Sequence, residues 1–348
     1  MGAHRGRVRL LSEMDFTSFS DLIAHIDGKR GYWFIRTLGG RYYPQFLNGN
    51  YVALGYNDMR KDLLDRLPMN ENSAIAALKE KYLKLHPNNK QAGKVANQLV
   101  RFSRHVKKDS VVLIPSADSS EISFGIVTGD LFECAQAADT ECPFLKRRSV
   151  RWIKKTRKRN LHPNLQLAIS SRHALSDMSE YAGYIDSLMN DFYVKEDTAT
   201  IVLNIRTQND VTLNEFCGLQ SIERIIQGFC ERERIDYERD ELVMKIQMES
   251  PGSLRLSGKH IFKIALFGLS ILLVCGGGIK YSSPDGTQFQ LGTEGIIEKF
   301  SEYLDRDADR KLIESAKHAI DSLQIERPED VEAIIQILEK RNEIREKY

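Results

Sequence analysis

The spacing of apolar and polar positions divides the chain into a strand-rich first half and a second half that ends in helices. Short apolar runs bounded by Gly, Pro, Asn, Asp or Ser are typical of strands, and apolar positions three and four residues apart are typical of helices. The first pattern predicts strands over Tyr32–Thr37, Tyr51–Tyr56, Ser110–Pro115, Ile122–Thr128 and the run that contains Trp152. The second predicts helices over Thr17–Ile26, Ser73–Leu85, Gln91–His105 and Ser176–Leu188.

The pattern changes near residue 199. Ala199–Arg206 is rich in β-branched residues, as in a buried strand, and Thr212 stands three residues before Glu215, a capping-box pair that predicts a helix start. Glu241–Met248 predicts a further strand. We therefore expect an α/β (α+β) protein with these parts: a basic leader and helix (1–30), a β-barrel domain with flanking helices (31–176), a linker helix (177–198), an α+β domain (199–292) and C-terminal helices (293–348).

The most apolar segment is Ile261–Ile279, in which Lys263 is the only charged residue. As one helix it would be about 28 Å long, close to the roughly 30 Å of a bilayer core. The glycines at 276–278 would fray its last turn and shorten the unbroken helix to about fourteen residues. Two interpretations stay open: a buried central helix of the α+β domain, which we favour, and a membrane-spanning or membrane-inserting segment.

Composition limits the class of protein. Apolar residues make up 42% and charged residues 28% of the 348 positions, with a net charge of +2, as in an ordinary soluble protein with more than one domain. The start of the chain lacks the apolar core of a secretion signal. The five cysteines form no CxxC pair and have no His at a metal-like spacing. We expect a cytoplasmic setting, with no metal and no cofactor.

The strongest local charge lies between residues 146 and 159, where nine residues are basic and none is acidic. They are Lys146, Arg147, Arg148, Arg151, Lys154, Lys155, Arg157, Lys158 and Arg159. A charge run is often only a solvated face, but cations without a neighbouring anion favour contact with the phosphates of DNA or RNA. Arg36, Lys107 and Lys108 would extend this surface.

Motifs for catalysis are scarce. The chain has no GxxxxGK[ST], HExxH or GxSxG motif. Asp236, Asp240, Glu241 and Lys245 come nearest to the acids and lysine of a metal-dependent nuclease, but their spacing differs, and surface ion pairs explain them more simply. We therefore lean towards a protein that is not an enzyme.

Four segments, taken in order, resemble a known family. They are YWFIR from Tyr32, YVALGYN from Tyr51, QLVRFSRHVKKDSVVLIPS from Gln98 and RRSVRWIKK from Arg147. Together they resemble the PUA-like/EVE-like domains, compact β-barrels of prokaryotic restriction and antiphage proteins, over about Tyr32 to Ser176. The resemblance implies a nucleic-acid reader, and some such domains flip a modified base into an aromatic-lined pocket. The long insert Phe132–Phe144 departs from the family pattern.

The resemblance implies a base pocket built from Trp33, Arg36, Tyr42, Tyr43, Tyr56 and Trp152. Both tryptophans could instead fill the core of the barrel. Of the two, Trp33 is the one expected on an exposed wall, because Trp152 is flanked by the apolar residues Val150 and Ile153. A base stacked on such a ring would contribute about 1–3 kcal/mol.

These observations predict a non-enzymatic sensor of nucleic acid or of a nucleotide-like ligand in a bacterial defence system. Its partners would be DNA or RNA, and the C-terminal region could mediate self-association. Two alternatives stay open. One is a membrane-associated effector that uses 261–279 and responds to a small nucleotide signal, and the other is a nuclease with a divergent site.

Overall fold

The computed structural model describes residues 23–134, 142–207, 209–235, 242–247, 252–274, 296–326 and 333–338. The chain folds into two compact units. One is continuous, residues 29–189, and the other combines residues 1–28 with 190–348. The continuous unit is therefore inserted into the sequence of the other.

The described residues contain both strands and helices. The strands are β1 (Ala24–Ile26), β2 (Tyr32–Ile35), β3 (Tyr51–Leu54), β4 (Val111–Pro115), β5 (Glu121–Val127), β6 (Phe132–Glu133), β7 (Lys146–Arg157), β8 (Leu175–Asp177), β9 (Phe192–Lys195), β10 (Thr198–Ile205), β11 (Val243–Gln247) and β12 (Gly252–Gly258). The helices are α1 (Tyr43–Asn48), α2 (Lys61–Asp65), α3 (Glu71–Leu85), α4 (Ala92–Arg104), α5 (Pro163–Ala168), α6 (Ala182–Met189), α7 (Leu213–Arg232), α8 (Ile261–Val274), α9 (Ile296–Arg306) and α10 (Arg310–Leu323). The expected mixed α/β class is confirmed.

The 29–189 unit is built on one curled sheet with the strand order β3-β7-β5-β4-β2-β8 and with β6 also paired to β7. The curl comes from β7, a long strand whose first half pairs with β3 and β6 and whose second half pairs with β5. β2 and β4 are parallel, and the other pairs are antiparallel. The loops that follow β2 and β4 therefore leave the sheet at the same edge.

Apolar side chains cover both faces of this sheet. Trp33, Ile35, Val112 and Ile114 belong to a cluster that includes α1, α3 and α4. Their neighbours along the same strands, such as Tyr32, Phe34 and Leu113, belong to a second cluster with α5 and α6. This alternation is the period-two pattern of a strand. Because both faces are buried, β2 and β4 have the continuous apolar sequences YWFI and VVLIP.

The other unit contains a sheet with the order β1-β9-β10-β12-β11, in which β1 and β9 are parallel. β10 pairs along its whole length with β12. The main core lies between this sheet and α7 to α10, together with the helical residues 333–338. The capping box predicted at the start of α7 is present between Thr212 and Glu215.

Helix α8 is the apolar segment noted in the sequence. All but one of its fourteen side chains are buried, including Lys263 at 5% exposure, and it packs against β10, β12, α7 and α10. This agrees with the buried-helix interpretation. Within the part of the chain that the structure describes, no helix combines the length and apolar character that crossing a membrane requires.

Several sequence-based boundaries need correction. Residues Ala24–Ile26, predicted as the end of a helix, form strand β1 because they pair with Tyr193–Lys195, a distant segment that local spacing does not reveal. The expected linker helix over 177–198 is instead the end of β8, a short 3-10 turn, α6 and β9. Strand β12 escaped prediction because its sequence, GSLRLSG, alternates leucine only with small or charged residues.

Candidate nucleic-acid interface

The first half of β7 carries cations that point into the protein. Lys146 is fully buried and its Nζ donates to the Tyr56 carbonyl over 2.8 Å. Arg148 is 3% exposed and donates to the Phe102 carbonyl (Nε, 3.2 Å) and to the Ser103 carbonyl (Nη2, 2.7 Å) at the end of α4. The prediction that Arg148 contacts phosphates is therefore wrong. Its donors hold the last turn of a helix to the sheet.

Burial changes the acid–base properties of these two side chains. It lowers the pKa of Lys146 to about 8, with Arg60 acting in the same direction and Glu133 and Asp58 opposing it. It also lowers the pKa of Arg148 to about 10, against the opposing effect of Asp130. Desolvation disfavours the charged form of a basic group, so both shifts have the sign expected for internal cations.

Arg147, between them, is also engaged. Its guanidinium lies 4.2 Å from the ring centre of Tyr51 and donates to the carbonyls of Phe144 (2.9 Å) and Cys142 (3.1 Å). It therefore anchors the chain that enters β7. Burial, followed by the proximity of Cys142, raises the pKa of Tyr51 to about 12.

The second half of β7 carries the exposed cations and contains a bulge. Phe124 pairs with Lys154 and Gly125 with Trp152, which leaves Ile153 as an extra residue. From residue 151 onward the basic side chains reach solvent: Arg151, Lys154, Lys155, Arg157 and Arg159 are exposed and Lys158 is half-buried. Lys155 forms an ion pair with Glu121 over 2.6 Å. The others of this set make no ion pair with any described residue.

Lys107 and Lys108 are exposed as well, but they lie elsewhere. They precede β4. The amide of the next residue, Asp109, donates to the Val127 carbonyl, and Val127 pairs with Val150 of β7. The exposed half of β7 instead pairs with the start of β5. The two lysines therefore lie at the opposite end of β5 from Arg157.

The structure places three of the predicted pocket rings in the core. Trp33, Tyr42 and Tyr43 are 5%, 6% and 8% exposed and belong to the core. Tyr42 packs edge-on against Phe144 with ring centres 4.9 Å apart, and the Tyr43 hydroxyl bonds to Ser123 over 2.7 Å. These rings are packed too deeply to accept a base.

The remaining two aromatic candidates are half-buried and are also engaged. Trp152 donates from Nε1 to the Phe46 carbonyl over 3.2 Å. Tyr56 has a left-handed backbone (φ 61°), lies edge-on to Tyr82, and has a pKa raised by burial. The expected exposure of the two tryptophans is thus reversed, because β2 is an inner strand covered on both faces and Trp152 lies beside the bulge of β7.

Of the predicted pocket residues, Arg36 lines a cavity. This cavity, of about 260 Å³, lies between the loop after β2 and the loop after β4. Its lining residues are Arg36, Gly39, Gly40, Pro115, Ser116, Asp118 and Ser119. It opens at the carboxyl ends of two parallel strands, where loops from neighbouring strands commonly form binding sites.

Both loops have unusual backbone conformations. Leu38, Gly39 and Gly40 have φ of 53°, 67° and 89°, and Asp118 and Ser119 have φ of 55° and 54°. A Cβ on Gly40 would lie 2.3 Å from the Ala117 backbone, so only glycine fits where the loops meet. The Thr37 hydroxyl donates to the Pro115 carbonyl over 2.7 Å and joins the loops at their base.

The cavity holds one cation and one anion that do not pair. Arg36 donates from Nη1 to the Ser171 carbonyl over 2.5 Å. Asp118 is exposed on the facing loop and forms no ion pair with any residue that the structure describes. The turn between β4 and β5 is rich in Ser and Asp, a composition visible in the sequence, but no motif identifies Asp118 as a partner of Arg36.

The cavity adjoins the basic half of β7. The loop after β4 is closed by the Glu121 amide, which donates to the Ser116 hydroxyl over 2.9 Å. The Lys158 amide donates to the Ser120 carbonyl in the same loop over 2.8 Å, and Glu121 pairs with Arg157 across the strands. One edge of the sheet thus combines a polar cavity with the exposed basic strand end.

The described residues contain no group of three or more His, Cys, Asp or Glu side chains that could hold a metal ion. Asp236, Asp240 and Glu241 lie outside the described residues, and Lys245 is an exposed residue of β11. The sites named for a nuclease therefore remain untested.

A family model described as a domain of unknown function (DUF8426) matches residues 36–178. The matched stretch covers about two fifths of the chain and falls within the 29–189 unit. It contains both the cavity and the basic half of β7. No curated protein and no solved structure matches the chain. The 29–189 unit is therefore similar to a domain family that has no described function.

Proposed function

We propose that the 29–189 unit binds nucleic acid, with the exposed half of β7 against the phosphate backbone. The observation that carries the proposal is a set of four exposed cations, Arg151, Lys154, Arg157 and Arg159, that have no ion-pair partner among the described residues. A cation without a protein anion is free to displace the counterions of a phosphate, which is the main source of affinity for nucleic acids.

The dimensions of the strand suggest the size of the site. Arg151 and Arg157 are six residues apart, which is about 20 Å along an extended strand. Successive nucleotides of one strand of a duplex rise about 3.4 Å, so this length matches about six nucleotides. The function proposed is binding, and the cations in the first half of β7 take no part in it because they are internal.

We extend the proposal to the kind of domain and its role. The curled sheet would be a PUA-like barrel that serves a bacterial defence system as a sensor. Support comes from the four family-like segments, which fall on β2, β3, the α4–β4 step and β7 of a single sheet. The aromatic pocket of that family receives no support, because three of its expected rings are in the core.

A charge-reversal experiment tests the binding function. Arg151, Lys154 and Arg157 would be changed together to Glu, and Lys79, Lys81 and Lys90, which are exposed on and after α3, would be changed to Glu in a control of equal net charge. Fluorescence anisotropy with short labelled single strands and duplexes would give affinities between about 50 and 200 mM salt.

We expect the β7 variant to lose most of its low-salt affinity, whereas the control keeps it. Each lost contact should remove about 0.7 from the log–log salt slope for single strands, so three contacts remove about 2. Absence of binding by the unmodified protein at low salt would refute the proposal. Equal losses in the two variants would show that only net charge matters.

A further inference from the structure

We infer that the cavity between the loops after β2 and β4 binds one unpaired guanine of the nucleic acid. The inference rests on the proposed function, because the guanine would belong to the bound strand. It is motivated by Arg36 and Asp118, which face the same cavity from different loops without pairing with each other. A ligand for such a site must offer acceptors to the cation and donors to the carboxylate.

Guanine has this arrangement. Its O6 and N7 atoms are adjacent acceptors that an arginine fork binds with two hydrogen bonds, the commonest specific contact with a base. Its N1–H and N2–H groups are adjacent donors that suit a carboxylate. Adenine would turn its N6 donor towards the guanidinium, so the same pair of side chains would disfavour it.

The cavity is prepared for a ligand of this size. Its volume of about 260 Å³ is large enough for one base. Nη1 of Arg36 already donates to the Ser171 carbonyl, which restricts the guanidinium before binding. The close approach at Gly40 and the bond from Thr37 likewise set the spacing of the two loops. Preorganisation of this kind lowers the entropic cost of binding.

The base must be unpaired. In the inferred arrangement Asp118 contacts the Watson–Crick edge of guanine, which is occupied in a duplex. Single-stranded segments offer that edge freely, as in most sequence-specific recognition of RNA. The neighbouring cations, Arg157 and Lys158, would contact the phosphates on either side of the base. A free phosphate would also suit Arg36, but the carboxylate of Asp118 would oppose it.

The test compares strands that differ at one base. Affinities would be measured for otherwise identical pyrimidine strands with guanine, inosine or adenine at the centre. We expect guanine to bind about tenfold or more tightly than adenine. Inosine, which lacks the N2 amine, should fall between them.

Two variants assign the contacts. Asp118→Asn should abolish the difference between guanine and inosine, and Asn tolerates the left-handed backbone at this position. Asp109→Asn is the matched control, since Asp109 is also exposed and left-handed (φ 68°) but precedes β4, at its other end. Arg36→Lys keeps the charge but loses the fork, so it should remove the preference for guanine and retain salt-dependent binding.

The outcomes separate the two proposals. Equal binding of all three strands, with normal salt dependence, would overturn the guanine site and leave the proposed function standing. Failure of every strand to bind at low salt would overturn both. Displacement of the guanine strand by inorganic phosphate at constant ionic strength would also overturn the inference and identify a phosphate site. Thermal unfolding of each variant would establish that it is folded.

Discussion

Replacement of Lys146 by Met should remove a pH dependence that the folded protein acquires by burying this lysine. Its side chain is fully buried, and its Nζ donates to the Tyr56 carbonyl. Burial lowers the pKa from the ordinary value of 10.5 to about 8. In the unfolded chain the lysine is hydrated and regains its ordinary pKa. The folded and unfolded states therefore bind different numbers of protons between about pH 8 and pH 10.5.

The sign follows from proton linkage. Between pH 8 and 10.5 the unfolded chain keeps the lysine proton and the folded protein has lost it, so the free energy of unfolding rises with pH. Below pH 8 both states are protonated, and above 10.5 neither is. A pKa difference of about two and a half corresponds to about 3 kcal/mol at 1.36 kcal/mol for each unit. Lys146→Met lacks this rise in the free energy of unfolding.

Urea denaturation at a series of pH values measures the effect. The only two tryptophans, Trp33 and Trp152, are in the 29–189 unit, so their fluorescence reports the unfolding of that unit. The free energy of unfolding of the original protein, minus that of Lys146→Met, should rise by about 3 kcal/mol across this pH range. The raised pKa of Tyr51 acts above pH 10 in both proteins and cancels in the difference.

Lys154→Met is the control, because Lys154 is exposed on the same strand. Its stability should follow that of the original protein at every pH. Parallel curves for the original protein and Lys146→Met would refute the reasoning, since they would mean that the buried amine titrates as an ordinary lysine.

Two further predictions concern burial and capping. Trp33→Ala should cost about 3–5 kcal/mol of unfolding free energy and Trp152→Ala clearly less, because only Trp33 is fully packed; equal losses in urea denaturation would contradict this assignment. The Glu215 carboxylate accepts hydrogen bonds from Ser322 and Thr212, which lower its pKa to about 2, so its contribution to stability is present above pH 4.5 and disappears as the pH falls towards 2. Circular dichroism during acid titration should therefore show a weaker loss of structure between these pH values in Glu215→Gln, and superimposable titrations would contradict the prediction.

Local sequence patterns predicted the elements whose conformation depends mainly on nearby residues. The strands β4, β5 and β10 were expected from apolar runs, and α3 and α4 from helical spacing. The elements that were missed depend on distant partners. Residues Ala24–Ile26 become a strand only through pairing with β9, which is more than 160 residues away.

The candidate site was predicted in part for the same reason. The excess of basic residues in β7 is visible in the sequence, but the division into internal cations (Lys146, Arg148) and exposed ones (from Arg151 on) follows the change of pairing partner from β3 to β5, which the sequence does not show. Arg36 was selected as a pocket residue, whereas its counterpart Asp118 lies 82 positions away in a turn with no motif. The expected exposure of the two tryptophans was wrong because the sequence shows which residues flank a ring along the strand, but not the layers that cover the two faces of the sheet.

The 29–189 unit is inserted between β1 and β9, which are paired strands of the other unit. The pairing of β1 therefore closes a loop that contains the whole inserted unit. β1 and β9 are paired, and about 165 residues separate Ile26 from Phe192. If this stretch were unfolded, bringing its ends together would cost about 4–5 kcal/mol of chain entropy. The cross-strand pairs of β1 alone, at about 0.2–1 kcal/mol each, do not offset that cost. Folding of the inserted unit removes most of this entropy cost, so the covalent path itself couples the integrity of one unit to the pairing of an edge strand in the other.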